Sequence, residues 1–205
     1  MASDQTVART MKPLRHNRDA LRALRNLIFE AGDGPMVVLG IGNPHYGDDA
    51  LGCETARLLQ VLGAPYALIC NEMPENYTLE VKACYPGRIL LVDAVDFFAP
   101  PGDLIYLRRQ ELRSDRFNTH KPDLGLLMRY LESETGAKTA LIGIQPKNRA
   151  LHAPISPEVH ESLSHLAALL ATAARLANSA ESQAAGAAAA LDGNPLAAPS
   201  EKEKA

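Results

Sequence analysis

This sequence of 205 residues has few cysteines, no long apolar segment and little net charge. Its three cysteines, Cys53, Cys70 and Cys84, lack the even number of a disulfide framework and the paired spacing of a zinc site, which favours a reducing cytoplasm. No segment approaches the roughly 18 consecutive apolar residues of a membrane span, and we expect no signal peptide. A net charge of -3 gives no overall attraction to nucleic acid or anionic lipid. We therefore predict a cytoplasmic protein with neither a nucleic-acid partner nor a membrane span, and we expect a monomer.

The two ends of the chain differ in composition from the middle. Residues 1–35 begin with a charge-rich segment and continue with a predicted short amphipathic helix, whose apolar residues are Leu21, Leu24, Leu27 and Ile28. Residues 179–205 consist mainly of alanine and small polar residues, which bury too little apolar surface to offset the entropy of ordering. We predict an N-terminal extension, an α/β domain over 36–178 and an Ala-rich mobile tail.

Short branched apolar segments alternate with segments of helical periodicity between these ends, as in parallel sheets covered by helices. The predicted strands span 36–41, 66–70, 88–94, 104–107 and 139–144. Helices are predicted to begin near residues 50, 75, 124 and 157. Ser156 is the expected cap of the last helix, with Pro157 at its first position. The pattern predicts a three-layer α/β fold in which a twisted, mostly parallel sheet of about five strands lies between helices.

Three polar side chains lie at or near the ends of predicted strands and helices. In the predicted fold these three side chains could come close to one another. Asp49 follows the first strand, Asp93 ends the third, and His120 lies in a loop before the helix near residue 124. Open parallel sheets bind ligands beyond the carboxyl ends of their strands. Two carboxylates and an imidazole could bind one divalent cation and leave positions for water or substrate. Oxygen and nitrogen ligands without sulfur suit Ni²⁺, Zn²⁺ or Mn²⁺.

Each of these side chains also has a purely structural interpretation. Asp49 could cap a helix or interact with its dipole, Asp93 could accept loop amide hydrogen bonds, and His120 could be a surface residue. Asp48 and Asp96 are expected to be solvated or capping groups. The residues alone leave these alternatives open.

Several short motifs follow one another in a set order over about residues 36–175. They are Gly40-Ile41-Gly42-Asn43, Gly47-Asp48-Asp49 with Gly52, Pro74-Glu75-Asn76, Leu91-Val92-Asp93-Ala94 with Asp96, Pro101-Gly102, Thr119-His120 and Gly143-Ile144-Gln145-Pro146. In order and spacing they resemble the hydrogenase maturation endopeptidases. The Pro-Glu-Asn and Gly-Ile-Gln-Pro segments are similar to the branch that serves the formate-hydrogenlyase hydrogenase.

The resemblance implies a cytoplasmic protease with a phosphorylase/hydrolase-like fold. Its partner would be the precursor of a [NiFe]-hydrogenase large subunit, from which it removes a C-terminal peptide after nickel insertion. Nickel would be carried by the precursor and recognised by Asp49, Asp93 and His120, with no resident organic cofactor. Asp49 and Asp93 are the candidate catalytic groups, since either could activate a water, although a metal-bound water could also attack the peptide carbonyl. Ala50 stands where many members have Gly, which is harmless unless φ is positive there.

Two other functions stay open at this point. A nonenzymatic assembly factor could use the same residues to hold the nickel-loaded precursor without cutting it. Peptidyl-tRNA hydrolases also place Gly-x-Gly-Asn-Pro after a strand, as in residues 40–44, but their catalytic histidine lies in an Arg-His-Asn segment after it. Here Arg15-His16-Asn17 precedes the strand, and the acidic balance disfavours a polyanion. The glycine spacing also misses the G-x-G-x-x-G fingerprint of dinucleotide sites, and Pro44 lacks an amide N–H.

Overall fold

The computed structural model describes residues 34–112 and 124–191, with side chains described as far as residue 175. In this part of the chain, strands and helices alternate. The strands are β1 (Met36–Ile41), β2 (Ala67–Asn71), β3 (Arg88–Ala94), β4 (Leu104–Arg108) and β5 (Lys138–Ile144). The helices are α1 (Leu51–Val61), α2 (Thr78–Ala83), α3 (Leu124–Thr135) and α4 (Pro157–Leu191), and there are 3₁₀ turns at Gly47–Ala50, Pro74–Tyr77 and Arg109–Glu111. The predicted strands are confirmed to within about a residue at each end.

The strands form one sheet in the order β2-β1-β3-β5-β4. β2, β1, β3 and β5 pair in parallel, whereas β4 is antiparallel to β5 at the edge of the sheet. The carboxyl ends of the four parallel strands therefore lie along one edge, called here the carboxyl edge. The turn after β1 and the loops after β2, β3 and β5 leave from this edge.

Alternate residues of the central strands pack on opposite faces of the sheet, because side chains alternate along a strand. Even-numbered residues such as Val38, Leu90 and Ile142 belong to the core that includes α1 and α4. Odd-numbered residues such as Leu39 and Leu91 belong to the core that includes α2 and α3. The predicted three-layer, mostly parallel α/β fold is confirmed.

The last helix is longer than the predicted domain. α4 runs from Pro157 to Leu191 and so continues past residue 178 into the segment that we expected to be mobile. Alanine has the highest helix propensity, which explains why an Ala-rich segment can extend a helix. The N-terminal extension up to residue 33 and the end of the tail from residue 192 lie outside the described residues. The division of the chain at 35 and 178 stays a prediction.

Two glycines bring α1 directly against the strands. A Cβ atom on Gly52 would lie 2.2 Å from the carbonyl oxygens of both Ile41 and Val92, and one on Gly40 would lie 2.2 Å from the Gly52 oxygen. Only hydrogen fits at these positions, so the start of α1 touches the carboxyl ends of β1 and β3. The turn that leads into α1 is thereby held beside the end of β3.

No helix in the two described ranges is long and apolar enough to cross a lipid bilayer.

Candidate active site

Asp49 lies in the 3₁₀ turn between β1 and α1. Its carboxylate is nearly buried, and Oδ2 accepts a hydrogen bond from the Asn43 N–H at 2.8 Å. Gly42 has φ +143°, and a Cβ there would lie 1.8 Å from the Asp49 carbonyl oxygen, so this position requires glycine. Ala50 has φ -70°, as expected for a position where alanine is harmless. The glycine-rich turn thus serves to fold the acidic turn back onto the end of β1.

Asp93 is the penultimate residue of β3 and is completely buried. Its Oδ1 accepts a hydrogen bond from the Ala94 N–H at 2.8 Å. It is paired with Gly143 of β5, and by the alternation of the strand its side chain belongs to the face covered by α2 and α3. Burial of a carboxylate is costly unless charges or hydrogen bonds compensate it, and such carboxylates are frequent in functional sites.

His120, the third predicted ligand, lies outside the described residues. Among the described residues no group of three or more His, Cys, Asp or Glu side chains could hold a metal ion. The structure describes only two members of the predicted trio, Asp49 and Asp93. The trio itself therefore stays a prediction.

Asp48, adjacent to Asp49, joins the acidic turn to the loop after β5. It is completely buried rather than solvated. Oδ2 accepts hydrogen bonds from the Lys147 N–H at 2.7 Å, the Asn148 N–H at 2.8 Å and the Ser156 hydroxyl at 2.9 Å, and Oδ1 accepts from the Ser156 N–H at 2.5 Å. Of the two roles expected for Asp48, the solvated one is wrong, because the loop after β5 and the start of α4 cover this carboxylate, whereas its bonds to backbone amides are those of a capping group. Asp48 is therefore a structural clamp between the acidic turn and that loop.

Ser156 holds the N-cap position of α4, as predicted, since its carbonyl accepts from the His160 N–H at 2.8 Å. Its hydroxyl, however, donates to Asp48. The start of α4 is thus tied to the acidic turn through side chain and backbone.

Gln145 shapes the loop that follows Asp93. Its Oε1 accepts from the Phe97 N–H at 2.9 Å and its Nε2 donates to Asp96 Oδ1 at 3.1 Å. The same Asp96 oxygen accepts from the Phe98 N–H at 3.2 Å, which makes Asp96 a loop-capping group, as expected. The sequence pattern identified Gln145 as the end of a strand, but it carried no signal for this cross-loop contact.

Arg149 is a basic residue at the carboxyl edge that the sequence did not single out. Its Nη2 donates to the Ala94 carbonyl at 2.9 Å, and its Nε lies 3.9 Å from Asp49 Oδ1. The guanidinium therefore lies between the end of β3 and the acidic turn. The sequence feature that could have identified Arg149 is its position shortly after the last strand, in a loop at the carboxyl edge.

The three cysteines are free, and two of them are buried. Burial, reinforced by the neighbouring Cys53, raises the pKa of Cys70 to about 12. Cys53 Sγ donates to the Gly42 carbonyl at 3.3 Å. A neutral buried thiol is neither a metal ligand nor a nucleophile, so Cys53 and Cys70 act as small apolar groups in the core.

Known proteins share this sequence pattern and fold. A model of the hydrogenase maturation protease family matches residues 72–173. The solved structure of a [NiFe] hydrogenase maturation protease, HycI from Thermococcus kodakarensis, is 32% identical, with a TM-score of 0.68 over 75% of this chain and 99% of that one. The chain belongs to the hydrogenase maturation protease family.

Other members of the hydrogenase maturation protease family agree with this assignment. The hydrogenase 3 maturation protease of Escherichia coli is 26% identical over 133 residues, which cover 62% of this chain and 83% of that protein. The solution structure of the endopeptidase HycI from Escherichia coli has the same fold, with a TM-score of 0.60 and 24% identity over 67% of this chain and 90% of that one. The chain is therefore a peptidase, which favours neither a nonenzymatic assembly factor nor a peptidyl-tRNA hydrolase.

Proposed function

We propose that this protease removes the C-terminal extension of a [NiFe]-hydrogenase large-subunit precursor after nickel has been inserted. The observation that carries the proposal is the pair of shielded carboxylates, Asp49 and Asp93, which come from separate elements at the carboxyl edge. The close contact of Gly52 with the Val92 carbonyl supports their proximity, because these residues adjoin the acidic turn and Asp93. Relatives named as [NiFe] hydrogenase maturation proteases support the choice of substrate.

His120 is proposed as the third ligand because the described helix that follows it, α3, allows it to reach the carboxyl edge. Near its C-terminus, α3 is tied to the opposite edge, since Glu132 contacts Arg109 after β4 and Thr139 in β5. A helix of 12 residues is about 18 Å long, which carries Leu124 towards the carboxyl edge. His120 precedes Leu124 by four positions, a separation that spans at most about 14 Å.

Nickel belongs to the substrate in this proposal. A cation shared between the precursor and the Asp49, Asp93 and His120 side chains would hold the scissile bond close to the catalytic groups and in a suitable orientation. This positioning would lower the barrier to hydrolysis. A water activated by Asp49 or Asp93, or a water polarised by the cation, would then attack the peptide carbonyl. We rank neither route above the other. Either requires at least one ionised carboxylate at the carboxyl edge.

Exposed apolar side chains around the same edge support a protein substrate. The loops after β1, β2, β3 and β5 each present one such side chain: Tyr46, Met73, Phe98 and Leu151. Phe98 is 90% exposed and has φ +61°, an unfavourable backbone conformation for a bulky residue. The loops that carry Tyr46 and Leu151 are joined by a hydrogen bond from the His152 N–H to the His45 carbonyl. Large apolar groups that stay exposed are typical of protein-binding surfaces.

The test is the mass of the precursor after incubation with the purified protease. We expect a nickel-loaded precursor to lose its C-terminal peptide and a nickel-free precursor to stay intact. A stable complex without any change in mass would instead identify a nonenzymatic assembly factor. Equal cleavage of both precursors would overturn the role of nickel. A cytoplasmic location, a monomeric state and the absence of a nucleic-acid partner stay predictions.

A further inference from the structure

Arg149 supplies a positive charge beside Asp49 at the carboxyl edge. Its guanidinium bonds the Ala94 carbonyl through Nη2 at 2.9 Å and directs Nε towards Asp49 Oδ1 at 3.9 Å. About a third of the Arg149 side chain and an eighth of the Asp49 side chain are exposed, at 34% and 12%. The charge is thus partly shielded from water, so it acts on Asp49 more strongly than an ordinary surface charge.

The position of this guanidinium is determined by the fold. Asp48 binds the backbone amides of Lys147 and Asn148, the two residues before Arg149. The Asn148 side chain accepts from the Ala150 N–H at 2.9 Å, directly after Arg149. The backbone is therefore secured on both sides of Arg149, and the same clamp positions the turn that carries Asp49. The Asp48 clamp thus positions the Asp49 carboxylate and the Arg149 guanidinium together.

The contact with Asp49 is nevertheless loose. Nε of Arg149 is buried and donates no hydrogen bond to any described residue. Its 3.9 Å separation from Asp49 Oδ1 is beyond hydrogen-bond range. The pair is therefore held by charge without a hydrogen bond, so a divalent cation, which carries twice the charge and can coordinate the carboxylate directly, can replace the guanidinium.

We infer that Arg149 is a built-in countercharge for Asp49 that must be displaced when the nickel of the precursor binds. This inference rests on the proposed role of Asp49 as a nickel ligand. Because the guanidinium and a divalent ion compete for the same carboxylate, Arg149 weakens the binding of free cations from solution. Nickel that is bound to its precursor brings additional protein–protein contacts, and these can offset the weaker binding of the ion itself. The device restricts binding to nickel that is already part of a precursor.

The test measures Ni²⁺ affinity calorimetrically on the full chain without precursor. Arg149→Gln removes the charge but keeps an amide that can donate to the Ala94 carbonyl, whereas Arg149→Lys keeps the charge. Lys147→Gln is the matched control, because it removes one positive charge from the same loop but Lys147 Nζ pairs with Glu158 at 2.7 Å rather than with Asp49. We expect Arg149→Gln to bind Ni²⁺ about fivefold more tightly than the wild type, and the other two variants to stay within about twofold.

The inference is overturned if Arg149→Gln has wild-type affinity, if Lys147→Gln raises the affinity equally, or if neither the wild type nor Arg149→Gln binds Ni²⁺. Combining Asp49→Asn with Arg149→Gln separates this inference from the proposed function. Loss of the gained affinity in the double variant supports the inference. Full retention would show that nickel binds elsewhere, and this result would contradict the proposed ligand as well.

Discussion

Two groups of charged side chains, one at each edge of the sheet, differ in burial. At the edge where the parallel strands begin, called here the amino edge, Arg109 pairs with Glu132 at 2.6 Å and Lys82 pairs with Glu134 at 2.5 Å. These four side chains are 27–37% exposed. At the carboxyl edge, the carboxylates of Asp48, Asp49 and Asp93 are buried or nearly so.

Burial of a charged group is unfavourable, and the buried carboxylates compared here lie at the edge where we propose the active site. Half-exposed ion pairs contribute little to stability, typically below about 1 kcal/mol, and can be exchanged freely. Buried carboxylates need compensation, which Asp48 receives from backbone amides and a hydroxyl. Within the carboxyl edge, Asp48 therefore builds the site, whereas Asp49 and Asp93 are proposed to act in it.

The largest expected effect is on catalysis at the carboxyl edge. Asp93→Asn keeps the size of the side chain but removes the charge, and we expect precursor processing to fall by about 100-fold or more. Glu132→Gln makes the same chemical change at the amino edge and should process normally. Initial rates from intact-mass time courses compare the two variants. Comparable rates for both would remove the functional distinction between the edges.

The second effect is on stability. Asp48→Ala leaves buried amides without their acceptor, and we expect the free energy of unfolding to fall by about 3 kcal/mol. Glu134→Ala, at the amino edge, should change it by less than about 0.5 kcal/mol. Urea denaturation measures both. If the two variants unfold at the same urea concentration, Asp48 is not the clamp described here.

A smaller effect is expected at Gln145. Gln145→Glu keeps an acceptor for Phe97 but places a second carboxylate against Asp96, so we expect a loss of about 1 kcal/mol and a severalfold higher KM for the precursor. Gln60→Glu is the control, because Gln60 Nε2 donates to the Ala67 carbonyl at 2.8 Å away from the carboxyl edge. It should lose stability without a change in KM. A KM that rises equally in both variants would show that the loop after β3 has no specific role.

The smallest effect is expected for the ion pairs of the amino edge. Arg109→Gln should lower the free energy of unfolding by about 0.5 kcal/mol, and this difference should shrink at high salt because the charges are screened. Thermal unfolding at two ionic strengths measures it. A large, salt-independent loss would mean that the pair is not an ordinary surface ion pair.

Much of the fold could be predicted because its signals are local. The apolar segment 88–94 is typical of a buried parallel strand, and β3 has those bounds. Asp93 and Asp49 were identified by the same reasoning, since a strand end and a following turn can be located from periodicity.

The finer structure of the site depends on contacts that no local pattern contains. Asp48 and Asp49 are adjacent and chemically identical, but the partners of Asp48 lie 99 to 108 residues further along the chain. Arg149 and Gln145 likewise bond to the end of β3 and to the loop after it, about 50 residues earlier in the chain. The sequence did not predict the full length of α4. The Ala-rich composition after residue 178 was interpreted as a sign of disorder, although alanine also favours a helix.

The most direct test of the central claim is precursor processing by His120→Ala, with and without added imidazole. His165→Ala is the control, since His165 is an exposed residue of α4. We predict that His120→Ala loses processing, that imidazole restores part of it by occupying the vacant position, and that His165→Ala cleaves normally. Cleavage by His120→Ala at the wild-type rate would contradict the account.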